Sequence, residues 1–573
     1  MTVISPDLSP RTADGRRPDP DWWRGAVIYQ IYPRSFADAN NDGIGDLPGI
    51  TARLEHVAEL GADAIWISPF FKSPMADFGY DVADYREVDP IFGTLADFDA
   101  LLAKAHALGL RIIIDQVLSH TSEQHAWFKE SRSSRDNPKA DWYVWAEAKP
   151  DGSPPNNWLS VFGGPAWQWD SRRRQYYLHS FLTAQPDLNH HNPEVQDALL
   201  GDVRFWCERG VDGFRFDACN HQFYDRSLRD NPPADAKEQQ SVTTVRPDNP
   251  YAMQRHLHDK TQPENLAFLQ RVRQVLDGTG AVSIGEVGDD HPQPIMADYT
   301  EAGKRLHMAY SFALLTPYVS AKQIREQVES LELALARTGG WGCWALSNHD
   351  VPRVASRWAP ANQPDPVLTR TLQALLFTLR GSVCTYQGEE LGLPEADIPF
   401  ELLQDPYGKT FWPEFKGRDG CRTPMPWQHD ALQAGFNAGA APWLPLGQGH
   451  GERSVDLQRA DPASPLHHAR ALLAWRRGEA RLRHGSIRFH DAAEPVLLFE
   501  RARGAGPALV LAFNLGDTPV SLPLPAKLGM LLPVNGTPIA PAELLEASGD
   551  AHCAGGRCWL LPAHGAAIAV TAA

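Results

Sequence analysis

The chain has 573 residues, with 54 Lys+Arg against 70 Asp+Glu for a net charge of −16, and 18 Trp. Such a length allows several domains, and the acidic balance argues against nucleic acid held on a broad basic face. There is no run of 18 apolar residues and no apolar leader stretch within residues 1–20, so a soluble, cytoplasmic protein with no membrane partner is expected. The 7 cysteines are odd in number and lack zinc-site spacing, which fits a reduced compartment.

Residues 1–21 are polar and Pro-containing and are expected to be flexible. From residue 22 short apolar runs alternate with helical stretches: Ala26–Pro33, Asp63–Phe70, Arg111–Leu118, Gly213–Cys219, Ala281–Val287, His307–Leu314, Gly342–Asn348 and Ser382–Gly388. Eight strands with helices between them predict an α/β fold, a (β/α)8 TIM barrel built from residues 22–118 and 190–484. Helix signals agree: Asn192-Pro193 and Ser464-Pro465 each read as an N-cap followed by Pro at the first helical position. Residues 119–189, rich in Trp, Tyr, Asn, Gly and Pro, are too long for an ordinary loop and predict a small inserted domain after the third strand. Beyond residue 484 alternating runs such as PVLLFER and ALVLAFNL predict an antiparallel β domain over 485–573.

A barrel of this kind builds its active site at the C-terminal ends of its strands. Those ends carry Asp115 and His120, then Arg215 with Asp217, then Glu286, then His349 with Asp350. Taken singly, each carboxylate could be an ion-pair partner or a helix cap; their concentration on one face points instead to acid–base chemistry. Two carboxyl groups, one kept ionised and one kept protonated, are what glycoside cleavage requires. Arg215 lies two residues before Asp217, on the same face of the strand, so the Asp217 pKa is expected to be lowered. Glu286 has no adjacent cation and follows an apolar strand, so its pKa is expected to be raised. Asp350 would then assist by hydrogen bonds that tighten in the transition state.

DQVLSH (115–120), GFRFDACNH (213–221), IGEV (284–287) and LSNHD (346–350), with QPDLN (185–189), resemble in order and spacing the conserved regions of the α-amylase family of glycoside hydrolases. YQIYPRSFADANNDGIGDLPGI (29–50) and GRDGCRTPMPW (417–427) are most similar to its α-glucosidase and oligo-1,6-glucosidase group. The resemblance implies a retaining double displacement, with Asp217 as nucleophile, Glu286 as general acid/base and Asp350 as transition-state stabiliser. It implies that Arg215 holds Asp217, that His120 and His349 bind hydroxyls of the transferred glucose, and that Tyr80 is the aromatic platform beneath it. Asp77 and Arg418 resemble the pair that grips the far end of the sugar and closes the pocket behind one glucose unit, so exo-acting release of glucose is expected.

The run 38–46 places oxygen donors at alternate positions, which suits Ca²⁺ or Mg²⁺ in a structural role and equally suits a loop of Asx turns. It is not an EF-hand, because Gly49 stands where the bidentate Glu belongs. The family resemblance favours the cation, with Asp38, Asn40, Asp42 and Asp46 ligating by side chain and Ile44 by its carbonyl; no organic cofactor is expected. Linkage signals divide: QPDLN leans to the α-1,6 side, whereas Ala218 after the nucleophile resembles α-1,4-preferring members. Ala218 lies nearer the acceptor sugar, so short maltose-type glucosides are the favoured substrates. The polar loop from Gln222 to Asn265 reads either as a rim over the acceptor site, favouring short substrates and transglucosylation, or as a plain surface loop. An oligo-1,6-glucosidase, a sucrose- or trehalose-converting enzyme of the same fold, and a non-catalytic binding protein are the alternatives; the last requires a membrane anchor.

Overall fold

The computed structural model describes residues 19–242, 245–317, 319–359, 364–528, 530–532, 534, 537–539, 543–545 and 558–572. Most of the expected flexible N-terminus, residues 1–18, therefore lies outside the described residues, as does Cys553.

Eight parallel strands form the central sheet: β1 (Val27–Ile31), β2 (Ala64–Ile67), β3 (Arg111–Val117), β4 (Gly213–Asp217), β5 (Val282–Val287), β6 (Met308–Ser311), β7 (Cys343–Ala345) and β8 (Ser382–Tyr386). Each strand is buried along nearly its whole length, as expected of a sheet covered by helices outside and packed side chains inside. β1 pairs with both β2 and β8, and a parallel bridge between Ala309 and Gly342 joins β6 to β7, so the sheet closes into a barrel. The sixth and seventh strands are shorter than the sequence suggested, because Phe312–Leu314 turns into a 3-10 helix and the chain leaves the sheet after Ala345.

The predicted N-caps form. Asn192 accepts from the Glu194 N–H at the start of helix Pro193–Arg209, and Ser464 accepts from His467 N–H at the start of helix Pro465–Gly478. The 119–189 segment contains helix Ala126–Ser131 and a three-stranded antiparallel sheet of Trp145–Ala146, Trp167–Asp170 and Gln175–Leu178. Beyond residue 485 a five-stranded sheet includes Ser486–His490, Val496–Ala502, Leu509–Asn514 and Ala566–Thr571, with a second, three-stranded sheet beside it. Cys558 in that second sheet is disulfide-bonded, a pairing the sequence spacing did not indicate. Among the described residues no helix is long and apolar enough to cross a membrane.

Candidate active site

Register brings the catalytic candidates together. β4 lies between β3 and β5, with Arg215 opposite both Asp115 and Ile284, so three strand ends deliver Asp115, Arg215, Asp217 and Glu286 to one place. The approach of β5 is close: a Cβ on Gly285 would lie 2.6 Å from the Leu306 side chain and 3.0 Å from Cys219 Sγ, so glycine there leaves room for those neighbours beside the strand end that carries Glu286.

Arg215 is fully buried and is the centre of the site. Its Nη1 donates to Asp115 Oδ1 at 2.8 Å and to Asp217 Oδ1 at 2.6 Å, while Nη2 lies 2.5 Å from Glu286 Oε1. Tyr310 Oη accepts from Arg215 and donates to Glu286 Oε1 at 2.9 Å, and the Ala218 N–H donates to Glu286 Oε2 at 3.0 Å. One guanidinium is thus divided among three acids. This corrects the expectation for Asp217: burial pushes its pKa up to about 7, because Arg215 is shared and Asp115 opposes ionisation. Burial likewise pushes Glu286 up to about 7, against the pull of Arg215, in the direction expected.

Asp350 is held in the opposite sense. Burial acts to raise its pKa, but His349 and the guanidiniums of Arg418 and Arg422 more than offset that, and the carboxyl lies well below the usual range. His349 is itself kept neutral by burial, so the two arginines, at 3.3 and 3.1 Å from Asp350 Oδ1, are the cations that stabilise it.

The remaining sugar-site candidates are joined to these groups by hydrogen bonds and ring stacking. Arg418 Nη2 donates to Asp77 Oδ1 at 2.7 Å and to Asp405 Oδ1 at 2.8 Å. Asp77 Oδ2 accepts from Gln185, whose amide also lies 3.2 Å from His120 Nε2. Tyr80 stacks on His349 with ring planes 5° apart and donates its hydroxyl to Asp115. Asp405, Arg422, Gln185 and Tyr310 were missed by sequence reasoning. Arg422 and Gln185 stand inside the quoted motifs GRDGCRTPMPW and QPDLN, whereas Asp405 and Tyr310 carry no local signal.

The 38–46 loop is held by local bonds. Asp38 accepts from Asn41, Gly43 and Asn437; Asp42 accepts from Ile44; Asp46 accepts from Ala39, Asn40 and, as the N-cap of helix Leu47–Leu60, from Gly49. Among the described residues no group of three or more His, Cys, Asp or Glu is gathered as a metal cluster.

A closed (β/α)8 barrel presenting paired buried carboxyls at its strand ends, with an inserted segment after β3, has the form of a glycoside hydrolase. Residues 30–485 match the α-amylase catalytic domain, and the chain belongs to that family. It is 56% identical over 523 residues to a probable α-glucosidase of Rhizobium meliloti (strain 1021), covering 91% of this chain and 94% of that one. It is 36% identical to the oligo-1,6-glucosidase of Heyndrickxia coagulans, covering 88% and 94%. Among solved structures, the α-glucosyl transfer enzyme XgtA superposes with a TM-score of 0.91 at 57% identity, covering 96% of this chain and 99% of that one. The trehalulose synthase MutB from Pseudomonas mesoacidophila MX-45 superposes at 0.82 with 32% identity, covering 96% and 99%. The protein is accordingly an enzyme, a glycoside hydrolase of the glucosidase type.

Proposed function

We propose that the enzyme is an exo-acting, retaining α-glucosidase that releases glucose from short α-glucosides and also transfers it to sugar or alcohol acceptors. The observation that carries this reading is the placement of Asp217 and Glu286 on the two terminal nitrogens of one guanidinium. Two carboxyls drawn to one guanidinium are kept near each other, which supports the short separation of about 5 Å used by retaining enzymes over the wider gap that admits a water in inverting ones. Asp217 Oδ attacks the anomeric carbon as the C–O bond to the aglycone breaks, and Glu286 gives its proton to the departing oxygen. A water or acceptor hydroxyl then attacks the same carbon, Glu286 recovers a proton, and Asp217 leaves. Arg215 and Tyr310 orient the two carboxyls, and ionised Asp350 supports the developing positive charge.

The Asp77–Arg418 pair supports exo action, since it bars the wall that a longer chain would have to cross. The loop after β4 supports a preference for short substrates: Asn249 Nδ2 donates to Val161 O in the inserted segment and to Tyr407 Oη, both at 2.9 Å, and Trp158 Nε1 donates to Arg229 O. A roof of that kind also shields the glucosyl-enzyme from water, which favours transfer. Ala218 supports maltose-type linkages, with isomaltose the alternative, and the likeness to a trehalulose synthase keeps a sucrose-converting reaction as a second reading. The test is product analysis by ¹H NMR with maltose, isomaltose, sucrose and soluble starch, wild type beside Asp217→Ala. First-formed α-glucose from maltose, absent in the variant, is the expected result; β-glucose would sink the retaining mechanism, and rearranged disaccharide from sucrose would favour the second reading.

We propose further that the 38–46 loop binds a divalent cation structurally. The support is donor chemistry alone, three carboxylates, one amide and a main-chain carbonyl in one turn, which suits a hard ion.

A further inference from the structure

Gln30 lies on β1 and is 1% exposed, and the hydrogen bonds of its side chain among the described residues go to Ser68 and His349 and not to a catalytic carboxyl. Its Nε2 donates to Ser68 Oγ at 3.2 Å and lies 2.8 Å from His349 Nδ1, while its Oε1 is buried with no partner. Beyond His349 the bonds continue: His349 Nε2 to Tyr80 Oη at 2.5 Å, then Tyr80 Oη to Asp115 Oδ2 at 3.0 Å. Asp115 also receives Trp66 Nε1 on the same oxygen and Arg215 on the other.

With Asp115 ionised, hydrogen counting gives this chain a direction. Burial raises the Asp115 pKa to about 6; above that pH the carboxylate only accepts, from Trp66, from Arg215 and from the single Tyr80 hydroxyl hydrogen. The Tyr80 oxygen must then accept from His349, which places the imidazole hydrogen on Nε2. Nδ1 is left with a lone pair, and only the amide orientation with Nε2 toward His349 satisfies it; the opposite orientation would set Gln30 Oε1 against that lone pair. An unpartnered Oε1 is what this orientation leaves behind.

We propose that Gln30 is a positioning residue that holds His349 as the Nε2–H tautomer, aiming its one N–H at the space between Tyr80 and Asp350. Asp350 Oδ2 lies 3.3 Å from that Nε2, so the hydrogen given to Tyr80 sits beside the ionised carboxylate. The inference rests on the glucosidase reading for its kinetic consequence and on the bond network alone for the tautomer.

The groups facing His349 are Tyr80 and Asp350 at Nε2, Gln30 at Nδ1, the stacked Tyr32 ring, Arg422 at its carbonyl, and the charges of Arg215 and Arg418. Gln30→Met keeps the volume and removes the donor, freeing the Nδ1–H tautomer. The expected result is a roughly 10- to 100-fold fall in kcat with a smaller change in KM, by analogy with loss of the partner that orients a metal-bound histidine. Gln30→Glu places an acceptor at Nδ1; acidification then generates the imidazolium, which restores Nε2–H, so its activity relative to wild type is expected to rise from pH 8 to pH 5.5 while that of Gln30→Met stays flat. A purely packing role would give no such pH dependence. Independently of activity, ¹⁵N NMR of histidine-labelled wild type, with the signal assigned by its loss in His349→Asn, is expected to find Nδ1 unprotonated. A protonated Nδ1 overturns the proposal, as does Gln30→Met with wild-type kcat or a pH-independent Gln30→Glu ratio. Wild type inactive on every α-glucoside, with Nδ1 unprotonated, would instead sink the glucosidase reading and leave the tautomer standing.

Discussion

Arg418 donates to Asp77 across 2.7 Å, joining the segment after β8 to the loop after β2, and the same nitrogen holds Asp405. The guanidinium is 7% exposed and serves three carboxylates, since Asp350 is its third partner. Lysine cannot reproduce that fork. Arg418→Lys is expected to lower kcat/KM on maltose by about 100-fold or more, because the sugar-facing oxygens shift. Arg418→Ala, which strands buried charges, is expected to cost about 3–5 kcal/mol in denaturant unfolding. Wild-type kinetics in the lysine variant would show that the pair is structural only.

Proton sharing among Asp115, Asp217 and Glu286 predicts the pH behaviour. Burial raises Glu286 in the folded state, so its stabilising effect is fully present below the unfolded carboxylate range and is lost as pH rises through about 7. Glu286→Gln has no proton to lose, and its melting temperature relative to wild type is expected to climb between pH 5 and pH 8. Activity should follow a bell centred near neutrality, with limbs that belong to the coupled acids and not to single residues. In Glu286→Gln the basic limb disappears for a 4-nitrophenyl α-glucoside, whose leaving group needs little protonation. A melting-temperature difference that is constant with pH would mean that Glu286 is ionised in the folded enzyme.

The barrel was legible because each strand is a short apolar run and the polar residues that end these runs are few: Asp115, Asp217, Glu286 and Asp350 stand out against Ile, Val and Phe. Electrostatics was less legible. Arg215 two residues from Asp217 reads as a private ion pair, yet β3 and β5 bring Asp115 and Glu286 to the same guanidinium, and only the register reveals the competition. Asp405 illustrates a second limit. It precedes Arg418 by 13 residues in irregular chain where no periodicity exists to mark a contact, and its carboxylate reaches the site through three bonds to Arg418.

Ala218 gives a test of linkage preference with a backbone cost attached. Its φ is 39°, in the left-handed region, and its N–H holds Glu286 Oε2. A β-branched side chain is strained there, by about 1–2 kcal/mol. Ala218→Val is therefore expected to lower the melting temperature and, by narrowing the space beside the nucleophile, to raise the ratio of kcat/KM for isomaltose over maltose. Ala218→Gly relieves the backbone and should leave the ratio unchanged. An unaltered ratio in both variants would remove this position from the account of specificity.

The 38–46 loop separates capping from cation binding, because its carboxylates differ in duty. Asp46 caps helix Leu47–Leu60 through Gly49 N–H, so Asp46→Ala is expected to cost about 1 kcal/mol whether or not an ion is present. Asp42 is exposed, and among the described residues its carboxylate hydrogen-bonds within its own turn, to Ile44 N–H and the Asn40 amide. If a cation is held, Ca²⁺ should raise the melting temperature of EDTA-treated wild type and fail to do so in Asp42→Ala, while maltose activity of the ion-free enzyme persists, since no catalytic carboxyl bonds to this loop. Equal melting curves for wild type with Ca²⁺ and with EDTA would leave the loop as a set of Asx turns that needs no ion.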